Sequence, residues 1–330
     1  MNCAVVGAGA WGSALANVLA ANGHPVQLWA REPDVVEAVN GSRENRRFLP
    51  GVSVHPAVHA TGAMAEALGG AQMVVYVAPS HGLREVAASG MACVHRDAVL
   101  VVASKGIERE SLAIMSDVVA QAVSGHPVVA LSGPSFAAEV AAGQPTAVVA
   151  ACHDLASASR VQRALSSDVF RVYTHDDVVG VELGGALKNV MAVATGIAEG
   201  LGLGHNSRAA LITRGLAEMT RLGVALGASQ ATFAGLAGLG DLVLTCTGAL
   251  SRNRALGIEL GKGTTLEQAL EGKDTVAEGV LNTISARALA EREGVDMPIV
   301  LAVHRILFEA QPARLAISEL MTRELRAEQD

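Results

Sequence analysis

Gly7-Ala8-Gly9-Ala10-Trp11-Gly12 stands directly after the apolar run Cys3–Val6 and opens a helical segment, Trp11–Ala21, that Gly23 can end. A G-x-G-x-x-G turn in this strand-to-helix context constrains the fold more than any other feature of the chain. The first glycine makes the tight turn, the second lets the backbone approach a pyrophosphate, and the third lets helix and strand pack closely. The helix N-terminus then offers amides and a positive dipole end to phosphates. The chain is therefore expected to begin with the β-α-β unit of a dinucleotide-binding domain. FAD is the lesser rival to a nicotinamide, since its usual further motifs are not evident.

The following sequence fits that expectation. Val26–Ala30, Met73–Ala78, Val99–Ala103, Val128–Leu131 and Ala147–Ala150 read as short strands, with Phe170–Tyr173 a plausible last one. Several are continuous apolar runs without period-two alternation, as parallel strands covered on both faces should be. Strands alternating with Ala-rich helical segments imply right-handed crossovers and a doubly wound, mostly parallel sheet. From Asp176 onward helix signals dominate. Asp176 or Asp177 can cap a long helix over Val178–Leu201, Ser207–Leu226 follows, and Thr265-Leu-Glu-Gln268 has capping-box spacing. Helices over Asn282–Glu293 and Pro298–Glu309 come next, then a charged tail. Residues 1–176 are thus read as a Rossmann-type α/β domain and residues 177–330 as an all-helical domain carrying substrate and catalytic groups.

Net charge narrows the partners. At −7, with a pI of about 5.8, the chain is a poor candidate for nucleic acid or an anionic membrane surface. Cys3, Cys93, Cys152 and Cys246 form no C-x-x-C pair, which fits a reducing compartment and argues against a structural metal site. No signal peptide is evident, and the most apolar stretch, 178–203, is interrupted by Glu182, Lys188, Asn189 and Glu199. A cytoplasmic location without stable membrane insertion is expected. The Ala-rich helical half offers apolar surface for a homodimer.

Ligands of open α/β sheets bind beyond the carboxyl ends of the strands. After the second strand come Arg31 and Glu32. An acidic residue there suits the ribose hydroxyl of NAD, an arginine the 2′-phosphate of NADP; Arg31 comes first, so NADPH is favoured and NADH stays open. Other strand ends carry Ser80-His81, Ser104-Lys105-Gly106 and Ser132-Gly133-Pro134-Ser135. Lys105 could hold a substrate oxygen or phosphate. Ser135 reads as a substrate ligand, an N-cap, or both, and His81 as a partly buried structural residue.

In the helical half, Gly184-Gly185 inside a helix costs roughly 1 kcal/mol per glycine relative to Ala, so something is expected to approach the backbone there. Lys188 and Asn189 interrupt the apolar stretch that follows. A partly buried lysine can act as an acid/base; a lysine snorkelling to water is the plainer alternative. Asp241 follows flexible glycines and could pair with a buried lysine. Ser251 can cap a helix whose first turn carries Arg252, Asn253 and Arg254, a good phosphate site. Cys246 reads as a small buried hydrophobe.

Taken together, GAGAWGSALA, NRRFLPG, ASKGIE, LSGPSFAAEVAAGQPTA, GVELGGALKNVMA, ALITRGLAEM, GLAGLGDLVLTCTG, SRNRALG and VAEGV resemble the bacterial NAD(P)-dependent glycerol-3-phosphate dehydrogenase family, in the family's order and over nearly the whole chain. The resemblance implies reduction of dihydroxyacetone phosphate to sn-glycerol 3-phosphate, feeding glycerophospholipid synthesis. It implies that Lys188 exchanges the proton at the C2 oxygen, steadied by Asp241. Lys105, Gly133, Ser135, Asp241, Ser251, Arg252 and Asn253 would line the substrate site, with Arg252 and Asn253 gripping the phosphate. Gly7, Gly9, Trp11, Gly12, Arg31, Lys105, Ala137, Arg252, Val276 and Glu278 would contact the cofactor. One departure is Ala10, where the family often has a small hydroxyl residue.

Two alternatives remain at this point. A 3-hydroxyacid or 6-phosphogluconate-type dehydrogenase also joins a Rossmann domain to a helical one, but tends to space its lysine and asparagine by three. An NADPH-sensing module would need the glycine loop and not Lys188, Asp241 and Arg252 together.

Overall fold

The computed structural model describes residues 1–271, 277–325, 327 and 328. By compactness the chain forms two units, Met1–Gly185 with Ala228–Asp241, and Ala186–Gly227 with Leu242–Asp330. The division falls inside the long helix that starts at Val178, nine residues past the 176/177 boundary read from sequence.

The first unit is built on eight strands: β1 Cys3–Val6, β2 Val26–Trp29, β3 Val58–Thr61, β4 Met73–Tyr76, β5 Val99–Val102, β6 Val128–Ser132, β7 Thr146–Ala151 and β8 Phe170–His175. Between them run α1 Ala10–Ala21, α2 Pro33–Ser42, α3 Met64–Leu68, α4 Leu83–Gly90, α5 Met115–Ala122, α6 Ala137–Ala141 and α7 Leu155–Leu165. Strand order is β3-β2-β1-β4-β5-β6-β7-β8. The chain starts mid-sheet, runs outward to β3, then crosses back to β4. This reversal beside β1 is the switch point where doubly wound sheets bind ligands.

Alternation along β1 explains its unbroken apolar sequence. Cys3 and Val5 join one buried cluster with Leu15, Leu19 and Leu28. Ala4 and Val6 join the other with Tyr76, Leu100 and Val102. Both faces are covered, so neither calls for polar residues.

Two features depart from the sequence reading. β3 (Val-His-Ala-Thr) is a further strand, an edge strand with His59 exposed. And β7 runs antiparallel to β6, the one antiparallel pairing in the sheet. The connecting helix α6 has only five residues.

Then come α8 Val178–Gly200, α9 His205–Ala225, α10 Gln230–Phe233, α11 Asp241–Thr247, α12 Arg252–Gly261, α13 Leu266–Leu270, α14 Glu278–Glu293, α15 Pro298–Phe308 and α16 Ala313–Met321. Asp177 caps α8, its Oδ1 accepting from Gly180 N at 2.8 Å, while its Oδ2 accepts from Ser229 N and the Thr232 hydroxyl. The Thr265–Gln268 capping box forms as expected. Among the described residues α8 is the one single helix long and apolar enough to cross a bilayer, and 94% of its most apolar window is buried within the protein. It is a core helix by that measure.

In the second unit, α8 and α12 touch backbone to backbone. A Cβ on Gly257 would overlap the Val193 carbonyl and stand 2.9 Å from Gly196 Cα; one on Gly261 would stand 3.0 Å from Gly200 Cα. Glycines four apart on both helices make this approach possible.

Candidate functional site

The glycine loop of the first unit has the geometry its spacing implies. Gly7 has φ +119°, and a Cβ there would stand 2.9 Å from the Val77 carbonyl oxygen. A Cβ on Gly12 would overlap the Gly7 carbonyl. At Gly9, by contrast, an added Cβ meets nothing within 4 Å, and no side chain caps the first turn of α1. A close turn with open room over uncapped helix amides fits a pyrophosphate. Trp11, half-buried in that turn, keeps a buried indole N–H without an acceptor. Ala10 begins the helix, so any contact there with phosphate comes from the backbone.

Past the end of β2, Arg31 has an 82% exposed side chain and donates from Nε and Nη2 to Glu32 Oε1 at 3.2 and 3.0 Å. The two residues with opposite cofactor implications thus neutralise each other. Ala137 opens α6 and packs partly against the core of the same unit.

The ends of β5 and β6 converge on one ammonium. Lys105 Nζ donates to Asp241 Oδ2 at 2.6 Å and to the Gly133 carbonyl at 3.0 Å. The Asp241 side chain is fully buried and that of Lys105 is 17% exposed. Asp241 Oδ2 thus accepts from Lys105. Gly133, at φ +139°, lies so close to β7 that a Cβ would stand 2.9 Å from Val148 Cα. Ser135 is not the N-cap of α6; Phe136 is. The Ser135 hydroxyl instead donates to the Gly133 carbonyl at 3.0 Å, the same oxygen that Lys105 reaches.

The close approach expected at Gly184-Gly185 is present. A Cβ on Gly184 would overlap the Ala237 carbonyl, and one on Gly185 would stand 2.6 Å from Ser132 Oγ and 3.4 Å from the Lys105 side chain. The π-helical turn Leu236–Gly240 and the Lys105 methylenes fill the space that side chains there would need.

In the second unit Lys188 does not snorkel. It is 8% exposed, and Nζ donates to the Thr245 hydroxyl at 3.0 Å. Its neighbour Asn189 accepts from Asn253 Nδ2 at 2.9 Å, and Asn253 Oδ1 accepts from Gly279 N at 2.9 Å, tying α8, α12 and α14 together. Asn282 adds a bond to the Ala186 carbonyl at 3.1 Å. Ser251 caps α12 by accepting from Arg254 N. The two arginines of that turn divide. Arg254 is committed to a two-pronged ion pair with Glu199, at 2.6 and 2.7 Å. Arg252 is exposed. Glu278 opens α14, and Val276 lies outside the described residues.

Two buried carboxyls titrate far from their ordinary range. Burial pushes Glu182 and Glu218 each up to about 7. Glu182 accepts from Ser116 N and hydroxyl; Glu218 accepts from Ile299 N at 2.7 Å and Val300 N at 3.3 Å at the start of α15. His81, read as partly buried, is exposed. Cys246 is fully buried, as expected of a small hydrophobe.

Sequence reasoning missed Thr245. The available signal was its spacing, four residues after Asp241 within α11. It also missed Asn189 and Glu199 as partners that commit Asn253 and Arg254.

Two family models match the chain. Residues 2–158 match the family model for the NAD-dependent glycerol-3-phosphate dehydrogenase N-terminus, and residues 177–318 that for the C-terminus. A glycerol-3-phosphate dehydrogenase [NAD(P)+] of Trichlorobacter lovleyi is 55% identical over 333 residues, covering 100% of both chains. One of Geobacter sulfurreducens is 55% identical over 329 residues, covering 98% of each. The crystal structure of glycerol-3-phosphate dehydrogenase from Coxiella burnetii superposes with a TM-score of 0.94 at 41% identity, over 98% of this chain and 99% of that one.

Proposed function

The chain belongs to the NAD-dependent glycerol-3-phosphate dehydrogenase family, and from that premise we propose how its residues reduce dihydroxyacetone phosphate to sn-glycerol 3-phosphate with NAD(P)H. The activity is that of an NAD(P)+-dependent oxidoreductase, and its product serves glycerophospholipid synthesis. The observation that carries the assignment of roles is the buried Lys188 ammonium bonded to the Thr245 hydroxyl.

The nicotinamide, when bound, supplies a hydride to C2 of the ketone. Charge then develops on the C2 oxygen, and Lys188 Nζ gives it a proton, completing the alcohol. Thr245 accepts one of the three ammonium protons and so fixes the direction of the others. Positioned proton transfer of this kind is worth about 10²–10⁴ in rate. In the reverse direction the neutral amine takes the proton back.

Binding falls to the remaining groups. The turn made by Gly7, Gly9 and Gly12 brings the backbone at the start of α1 to the pyrophosphate, with Trp11 and Ala137 beside it; Arg31 takes the 2′-phosphate of NADPH by releasing Glu32. Lys105, held by Asp241 and the Gly133 carbonyl, presents its remaining proton to substrate and cofactor, next to Ser135. Arg252 and Asn253, at an α12 N-terminus capped by Ser251, hold the substrate phosphate, and Glu278 with Val276 completes the cofactor contacts. Orientation by several such groups removes several kcal/mol of barrier. In this division residues 1–176 bind the dinucleotide and residues 177–330 carry the catalytic lysine. The reading includes a cytoplasmic homodimer without membrane insertion. The burial of α8 and the exposed Phe308, Leu315 and Met321 support these last points.

Purified protein should oxidise NADPH when dihydroxyacetone phosphate is added and not with a 3-oxoacid. Consumption with the 3-oxoacid alone would favour a hydroxyacid dehydrogenase, and none with either would return the sensor reading. Sedimentation should give twice the chain mass.

A further inference from the structure

The Asn45-Arg-Arg-Phe-Leu-Pro-Gly51 segment has no part in the roles assigned above, yet its first residue is among the most deeply buried polar side chains of the first unit, 1% exposed. Asn45 lies in the loop between α2 and β3 and reaches into the glycine turn. Its Nδ2 donates to the Ala8 carbonyl at 2.7 Å and to the Ser13 hydroxyl at 2.8 Å. The Ser13 hydroxyl donates to the same carbonyl, at 3.4 Å. Asn45 Oδ1 accepts from Phe48 N at 3.2 Å, and its backbone carbonyl accepts from Leu49 N at 2.9 Å. The side chain is therefore used at both ends, anchored to its own turn and aimed at one oxygen.

That oxygen belongs to the peptide joining Ala8 to Gly9. In a trans peptide the C=O of one residue and the N–H of the next point in opposite directions. Holding the Ala8 carbonyl towards Asn45 turns the Gly9 N–H away from Asn45, at a residue where an added Cβ would meet nothing within 4 Å. Glycine gives that peptide plane little resistance to turning over, because it tolerates positive and negative φ about equally. A restraint from outside the loop is needed, and Asn45 supplies it.

We propose that Asn45 is a positioning residue for the dinucleotide: by gripping the Ala8 carbonyl it fixes the Ala8–Gly9 peptide so that Gly9 N–H faces the pyrophosphate. The proposal rests on the dinucleotide-binding reading of the glycine loop. It differs from a role in loop stability, and the structure contains the control. Asn17, on α1, fastens the far end of the same loop, donating to the Ser53 carbonyl at 2.9 Å and accepting from His55 N at 2.9 Å, without touching the Ala8 carbonyl.

Calorimetric titration of the full chain with NADPH, NADH and adenosine 2′-monophosphate tests this, alongside melting temperatures. In Asn45→Ala the Kd of NADPH and of NADH should both rise about tenfold. That of adenosine 2′-monophosphate, which has no pyrophosphate, should stay within twofold. Asn17→Ala should lower the melting temperature and leave the dinucleotide Kd within twofold. Ser13→Ala, a smaller perturbation that keeps the main bond, should raise both dinucleotide Kd values two- to threefold, and it serves if Asn45→Ala does not fold. Unchanged dinucleotide affinity in Asn45→Ala, or in Ser13→Ala where it stands in, overturns the proposal. So does equal weakening by Asn45→Ala and Asn17→Ala. Failure of the wild-type chain to bind either dinucleotide would instead remove the cofactor reading beneath it.

Discussion

Lys105 and Asp241 are 136 positions apart in sequence and 2.6 Å apart in space, an ammonium from the end of β5 on a carboxylate with no solvent exposure. Removing one partner of a buried pair strands the other charge, at a cost of about 3–5 kcal/mol. Asp241→Asn should therefore lower stability by about 3 kcal/mol, since Lys105 is not wholly enclosed, and cut kcat/KM for dihydroxyacetone phosphate at least a hundredfold. Adding Lys105→Met to that variant should restore much of the stability and none of the turnover. Denaturant melts and steady-state kinetics on the three variants check this. Additive stability losses would mean that the two residues are not coupled.

Lys188 and Thr245 should separate by degree. Lys188→Ala should retain the fold and NADPH binding and lose a factor of about 10²–10⁴ in kcat. Thr245→Val keeps the ammonium and removes one acceptor. Its kcat should fall about tenfold, with KM for dihydroxyacetone phosphate within twofold. Near-normal turnover in Lys188→Ala would take the lysine out of the mechanism.

These residues mark how far the sequence could be read. Gly184-Gly185 and Lys188-Asn189 stand out because each breaks a local rule, a glycine pair inside a helix and polar groups inside an apolar one. The structure gives a reason for each: the Ala237 carbonyl and Ser132 hydroxyl lie where side chains would be, and the Thr245 and Asn253 side chains meet the polar groups. Thr245 broke no rule, since threonine in a short helix is unremarkable and its partner is 57 positions away. β3 escaped because an edge strand with one exposed face lacks the apolar run that identified its neighbours. The direction of β7 escaped because a buried apolar run reads the same whether the strand runs parallel or antiparallel to its neighbour. Of the readings open for Ser135 the cap alone fails, because serine before an apolar segment suits both a cap and a carbonyl-bound turn.

The α8–α12 contact yields a prediction of opposite sign to helix propensity. Alanine favours an exposed helix interior over glycine by about 1 kcal/mol. At Gly257, however, the new methyl would overlap the Val193 carbonyl. Gly257→Ala should therefore destabilise by about 1–3 kcal/mol, the usual cost of overpacking. It should also shift the α12 N-terminus that carries Ser251, Arg252 and Asn253. KM for dihydroxyacetone phosphate should rise more than kcat falls. A stabilised variant with unchanged KM would show that the two helices do not bear on each other there.

Glu182 sets a pH dependence whose sign can be worked out. Its carboxyl is raised from 4.5 to about 7, first by burial, opposed by the Ser116 hydrogen bonds and reinforced by the charge of Asp117. Below about 4.5 the group is protonated folded and unfolded, and it has no effect on stability. Between 4.5 and 7 the unfolded chain releases its proton while the folded chain keeps it, so stability falls as pH rises. Above about 7 both forms are ionised and the full penalty stands, about 3 kcal/mol from the size of the shift. Glu218, raised for the same reason, adds a loss in the same window. His24, whose pKa is lowered by burial and the nearby N-terminus, acts in the opposite sense as pH rises. The useful quantity is therefore the difference between wild type and Glu182→Gln, in which Glu218 and His24 cancel. The substituted amide stays neutral and can still accept from Ser116. The variant should gain stability relative to wild type steadily from about pH 5 to about pH 8, by about 3 kcal/mol in all, measured by urea melts at matched ionic strength. A difference that does not change with pH would mean that Glu182 ionises in the folded protein at its ordinary pKa.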